Sequence, residues 1–214
     1  MKKIIILSIV SIITIAQTNA QITFGAKGGF SLASQQFKGD DALSDAAAKG
    51  LNDTKKSLPA FHVGVTADIP LSENIVIQPA LQFAQKGVKF ENDLEKSRTV
   101  YNSLELPINV LYRQSAKGGF YGGVGPYIGY AFSGKKFTKI GNADEGSEKV
   151  DFDKANIKRL DIGGNAMVGY ELPMGVTIGV NYSLGLTSIT TIKDAGVLTK
   201  NNYVGLSVGY KFKK

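Results

Sequence analysis

His62 is the only histidine in this 214-residue chain, and a lone histidine invites the question of catalysis. Paired with a serine and a carboxylate, it could serve as the base of a lipid-acting hydrolase or acyltransferase. Ser31, Ser34 and Ser57 are the serines placed to approach it at the outer mouth, nothing fixes any of them as a nucleophile, and no Gly-x-Ser-x-Gly elbow is expected in the chain. Asp68 lies six residues further along the same extended stretch. At strand rise that is roughly 20 Å, too far to orient the imidazole. The expectation is therefore a polar histidine at the rim of the fold, with no catalytic residue assigned.

Metal and phosphate chemistry find no better footing. Asp40-Asp41, Asp144-Glu145 and the pair Asp151 and Asp153 are acidic clusters in polar segments. None has the spacing of a calcium loop with its central Gly and terminal Glu, so solvated loop charge is the expectation and no metal is assigned. Gly118-Gly119 and Gly122-Gly123 do not open helices, which excludes a phosphate cradle. The absence of Cys removes disulfides, thiolate ligands and cysteine catalysis. The formal charge is +7, falling to +5 without Lys2 and Lys3, and it is dispersed along the chain. Dispersed charge of that size argues against a nucleic-acid groove. No cofactor is expected.

The elements that must carry these residues are strands. From Ile22 onward the dominant period is two. Val204, Leu206, Val208, Tyr210 and Phe212 share one face of the last segment, while Gly205, Ser207, Gly209 and Lys211 share the other. The same reading gives eight strands, at roughly 22–33, 60–69, 75–88, 101–113, 119–132, 157–171, 175–186 and 202–213. Their lengths suit tilted transmembrane strands of about 9–11 residues or somewhat more. Short breaker-rich turns at 70–74, 114–118 and 172–174 alternate with long polar segments at 34–59, 91–100, 133–156 and 187–201. That alternation predicts an all-β fold: an eight-stranded antiparallel up-and-down transmembrane β-barrel with short periplasmic turns and long extracellular loops. The first loop carries an Ala-rich stretch within 41–51 that predicts a short helix.

Period two does not by itself say which face looks inward. The polar face is rich in Gly, Ser, Thr, Asn and Gln, a poor apolar core but a suitable lining for a narrow lumen. Aromatic residues on the apolar face fall into two belts. Phe24, Tyr112, Phe120, Tyr170, Tyr210 and Phe212 lie toward the turns, and Phe30, Phe61, Phe83, Tyr130 and Phe132 toward the loops. Two belts are what two membrane interfaces require. Inward parity then gathers charges of both signs in a lumen barely wide enough for its own side chains. Glu105, Arg159 and Asp161 are the central candidates for a polar lumen network, with Lys27 and Arg113 as further members. Gly123 and Gly125 on the intervening strand would let long side chains meet. Charges withdrawn from water need partners, so structural plugging is the expected role.

The first twenty residues read as a signal peptide: a basic start, an apolar run from Ile4 to Ala16, and small residues at Thr18-Asn19-Ala20 before the cut. Residues 21–214 are then the barrel domain. The mature part resembles the small outer-membrane β-barrel domain proteins, often called porin family proteins, eight-stranded barrels of the OmpA and OmpX kind. Gly25-Ala26-Lys27-Gly28-Gly29-Phe30, Ile77-Gln78-Pro79-Ala80-Leu81, Gln85-Lys86-Gly87, Leu104-Glu105-Leu106-Pro107 and Val208-Gly209-Tyr210-Lys211-Phe212 carry the likeness. The resemblance implies a cell outer-membrane location and no agreed activity. Such chains usually end on an aromatic residue read by the barrel-assembly machinery, whereas here Lys213 and Lys214 follow Phe212.

Taken together, the residues predict a monomeric, non-enzymatic integral barrel with a structural role or a surface-interaction role through its loops. The expected partners are outer-membrane lipid and lipopolysaccharide, and the assembly machinery during insertion. Lysines at 135, 136, 139, 149 and 154 could meet anionic headgroups of the outer leaflet. The alternatives are a lipid-modifying outer-membrane enzyme, a narrow ion channel, or a soluble periplasmic binder.

Overall fold

A computed structural model describes residues 21–39, 41–92, 95–115, 118–141, 144–190 and 196–213. The expected signal peptide, residue Asp40 of the first acidic cluster and the terminal Lys214 lie outside them.

Eight long strands close into a ring. They are β1 (Thr23–Gly39), β3 (Leu58–Pro70), β4 (Ile75–Glu91), β5 (Glu95–Arg113), β6 (Gly119–Ile140), β8 (Leu160–Glu171), β9 (Val176–Gly185) and β10 (Val197–Lys211). Each is antiparallel to its sequence neighbour, and β1 pairs with both β3 and β10, which joins the ends of the sheet. Closure leaves the eight strands no free edge over the paired length, the condition for a sheet to stand in lipid. Exposure alternates as the sequence period demands: Leu104 is 47% exposed, Glu105 1% and Leu106 43%. The apolar face is thus the outer one, and the polar face lines the lumen.

The strands run further than the apolar alternation shows. Residues 95–100 and 133–140, expected in loops, continue β5 and β6 as a paired hairpin. Two short strands flank this extension: β2 (Lys55–Lys56) pairs with β4, and β7 (Gly146–Lys149) pairs with β6. Backbone pairing is satisfied there without an apolar stripe, so the hydrophobic pattern gives no sign of it. Between Asn102 and Ser103 the register with β6 slips by one residue, because Ser103 faces Ala131 while Asn102 faces Ser133. Phe132 is the extra residue of a β-bulge, and above it the inward positions of β6 change from odd to even.

The expected helix is α1 (Ala42–Thr54). Asp41 caps it by accepting the Ser44 backbone N–H at 2.8 Å, while the Ser44 hydroxyl accepts the Asp41 N–H at 3.0 Å. This reciprocal cap satisfies donors that a helix start otherwise leaves orphaned. Asn52 fastens the helix to β1 by donating to the Phe37 carbonyl at 2.7 Å. At the opposite end the turns are tight. Gly175 holds φ +91°, a conformation that a side chain would strain, in the turn between β8 and β9.

Candidate functional site: a lumen closed in three tiers

At the loop end the lumen is closed by an apolar cluster. Tyr101 and Ala131 from the barrel wall pack with Phe152 and Ile189 from the segments above. Arg159 stacks its guanidinium 4.2 Å from the Phe152 ring centroid and donates to the Ala131 carbonyl at 3.4 Å. It makes no ion pair among the described residues, so the expected grouping of Arg159 with Glu105 and Asp161 does not form. The reason is position: Arg159 precedes the first residue of β8 and lies with the loop cluster, not the lumen row.

The second tier is ionic. Glu105, Gly129 and Asp161 lie opposite one another across β5, β6 and β8. Gly129 leaves the space through which the two carboxylates share a cation, and that cation is Lys86. Its ammonium lies 2.5 Å from Glu105 Oε1 and 2.8 Å from Asp161 Oδ2, with all three side chains buried. Gln82 donates to Glu105 at 2.8 Å and Asn201 to Asp161 at 3.1 Å. Tyr127 presents its ring face 4.3 Å from the same ammonium, and Tyr203 stands 5.9 Å away. Paired, hydrogen-bonded and stacked in this way, the charges are held against one another rather than offered to a passing ion.

Four large tyrosines, at 101, 121, 127 and 203, face the lumen, which the polar-face reading does not anticipate. Inward glycines make room for them. A Cβ on Gly163 would stand 2.5 Å from the Tyr127 ring, and one on Gly169 2.5 Å from Tyr121. Gly123 and Gly125 serve another purpose: a Cβ at either would meet the β5 backbone within 2.2 Å or less. These two glycines permit close strand approach, not the meeting of long charged side chains.

The third tier sits at the turn end. Asp68 accepts from Arg113 and pairs with Lys211 at 2.8 Å. Lys211 also reaches Glu171 at 2.7 Å, and Lys213 meets the other oxygen of Glu171 at 2.7 Å. Lys213, one of the two lysines after the terminal aromatic, is thereby tied into the barrel. Arg113 thus belongs to this tier, apart from Glu105. Lys27 lines a cavity of about 40 Å³ between the two ionic tiers, with Ser207, Asn181 and Tyr121 among its neighbours. Such a space holds a few waters and no substrate of any size.

His62 is not at the rim. It is 2% exposed and stands within the wall of the lumen. Its Nδ1 is 3.0 Å from the Ser31 hydroxyl, its Nε2 is 2.8 Å from the Ser207 hydroxyl, and Ser207 donates to Asn181 at 2.9 Å. Ser207 is a partner that the three nearby serines of the sequence reading leave out. The string that points to it is Gly205-Leu206-Ser207-Val208-Gly209, which spells Gly-x-Ser-x-Gly. An elbow needs a sharp strand-to-helix turn, whereas these residues run straight along β10. With the Ser207 proton given to Asn181, the ring nitrogen beside it is the donor and does not take a proton from Ser207. Asp68, committed to the turn-end tier, does not orient the ring. No group of three or more His, Cys, Asp or Glu that could hold a metal occurs among the described residues.

A model of the outer membrane protein β-barrel domain matches residues 15–191. The chain belongs to that family. As a member of the barrel family, the protein resides in the cell outer membrane, and the apolar outer face described above is its lipid-contacting surface. Among solved structures it is similar to Ail, the attachment invasion locus protein of Yersinia pestis. The two are 13% identical, covering 90% of this chain and 99% of that one at a TM-score of 0.43. Neisserial surface protein A is 11% identical, covering 91% and 100% at 0.45. OprG from Pseudomonas aeruginosa is 13% identical, covering 92% and 99% at 0.42. No curated protein matches the chain.

Proposed function

We propose that this barrel is a non-enzymatic, non-conducting integral protein whose work is done on its loop side, with the loops facing out of the cell. The observation that carries the reading is the Lys86–Glu105–Asp161 tier, in which one buried cation is clamped between two carboxylates at 2.5 and 2.8 Å beneath an apolar plug. Ion passage would require breaking that cluster, and separating a buried pair costs about 3–5 kcal/mol. His62 supports the non-enzymatic part, since its partner Ser207 lines a space of only about 40 Å³, which admits no acyl chain.

The strands that outrun the apolar belts supply the working surface. β4, β5 and β6 continue as a sheet flanked by β2 and β7, a rigid platform for recognition. Planar-bilayer recording on the wild type and on Glu105→Ala tests the closed lumen: silence from the wild type is expected, and reproducible wild-type conductance overturns it. Protease treatment of intact cells tests the orientation, with cleavage in 133–156 expected and complete protection refuting it.

A further inference from the structure

Above the membrane belt, the outer face of β4, β5, β6 and β7 is ordered in rows. Phe83, Leu104 and Tyr130 form one cross-strand row of the apolar belt, with Phe132 packed 6.1 Å from Phe83. The next outward row is Gln85, Asn102 and Ser133, joined by amide and hydroxyl hydrogen bonds of 3.1 and 3.0 Å. That polar row marks where the apolar surface ends. Two residues further along each strand, Lys135 stands directly opposite Lys149. Two rows beyond, Lys96 stands directly opposite Lys139.

Like charges directly opposite each other destabilise a sheet unless an anion lies between them. The protein's own carboxylates on this face are already engaged. Glu91 is shared by Lys56, Lys89 and Lys96 at 2.8–3.4 Å, and Glu145 is held by Arg98 at 3.0 Å. Glu148 pairs in register with Lys136, on the other face of the sheet. Among the described residues Lys135, Lys139 and Lys149 make no ion pair, and all three are exposed. Lys135 lies four residues above the Tyr130 belt row with the bulge intervening, roughly 10 Å along the membrane normal for a strand tilted about 40°. That is headgroup depth. The opposite side of the barrel differs: the matching outward positions of β1 and β10 carry Gln36 beside Lys200 and Lys38 beside Leu198.

We propose that this outward face, centred on Lys135, Lys139 and Lys149, is a docking site for the phosphorylated headgroup of an outer-leaflet lipid of the lipopolysaccharide class. The choice of lipid over a soluble partner follows from continuity. Lys135 stands two rows above the apolar belt on the same outward face of β6, with Lys149 opposite it and Lys139 two rows further out, so an occupant held at Lys135 adjoins the hydrocarbon. The inference rests on the loops-outward orientation proposed above, which the intact-cell protease experiment tests separately.

The full-length protein, folded in neutral detergent, is titrated with diphosphorylated lipid A and bound lipid is counted by native mass spectrometry. The triple variant K135Q/K139Q/K149Q is compared with the wild type and with K38Q/K200Q on the opposite side. Folding of each is verified by heat-dependent gel mobility. At about fivefold per lysine, the triple variant binds roughly a hundredfold more weakly and the opposite-side variant binds like the wild type. Equal binding by the triple variant, or equal loss in both variants, overturns the site. If the triple variant fails to fold, the wild type decides: affinity for diphosphorylated lipid A falls with salt and exceeds that for a phosphate-free glycolipid, and equal affinity for the two refutes the proposal.

Discussion

Replacing Lys86 by Met probes the lumen at its most interdependent point. The Lys86 side chain is 2% exposed, and its ammonium is the cation held between Glu105 and Asp161. Methionine keeps much of the stem's volume but leaves two carboxylates facing each other across Gly129, sheltered from water by Tyr127 and Tyr203. Removing one partner from a buried ionic group costs about 3–5 kcal/mol, a factor of roughly 150 to 5,000 in the folded-to-unfolded ratio. Neutralising the whole cluster in Lys86→Met, Glu105→Gln, Asp161→Asn removes the uncompensated charge. The triple change is then expected to be neutral or to stabilise by about 1–4 kcal/mol. The assay is urea titration in lipid vesicles, read by heat-dependent gel mobility because the chain has no Trp to report. A Lys86→Met barrel within about 1 kcal/mol of wild type, with the triple variant less stable than the single, would falsify the clamp as the organising contact.

Three further outcomes follow from contacts already described. Gly163→Ala would set a Cβ 2.2 Å from the Leu184 carbonyl oxygen and 2.5 Å from the Tyr127 ring, and overpacking of this kind costs about 1–3 kcal/mol; an unchanged urea midpoint refutes it. His62→Ala leaves the lipid A profile of the cell unaltered, and any reproducible change in acylation would return the protein to the enzymes. Hydrogen bonds from Lys96 first and Lys89 second, against a smaller opposing effect of desolvation, lower the Glu91 carboxyl to about 2. With the folded value depressed below the unfolded one of about 4.3, this lysine clasp contributes stability above that pH and loses it only as pH falls toward 2. Carboxylate NMR of Glu91 in the folded protein reads this directly, and a midpoint near 4.5 contradicts the clasp.

The barrel was legible because lipid imposes a binary rule on every strand. Leu104, Glu105 and Leu106 could not be arranged otherwise, and the eight segments announced their faces one by one. The lumen was legible only as a set of inward residues. Which of them meet depends on the stagger between strands and on side-chain reach, neither of which period two encodes. Lys86 belongs by parity to the inward set, yet its place between Glu105 and Asp161 requires it to reach toward a neighbouring row. Tyrosine misleads for a different reason: parity sets Tyr127 and Tyr203 on the inward face, but the residue type, suited equally to a membrane interface and a polar lumen, gives no sign that large rings fill the interior. The extension at 95–100 and 133–140 was hidden because a water-exposed hairpin needs no hydrophobic alternation, only backbone pairing.

Phe132, the extra residue of the β6 bulge, sets the polarity of everything above it. Paired without that bulge, the same residues in unbroken alternation would turn the upper part of β6 through half a pleat, with Lys135 and Lys139 over the mouth of the lumen and Lys136 facing outward in their place. Removing Phe132 itself does not do this: Ala131 and Ser133 become neighbours, still opposite Ser103 and Asn102, and the lysines keep their outward face. The two-for-one pairing at this point thus decides between a basic collar toward the membrane and a basic ring around the opening, without altering a single charged residue.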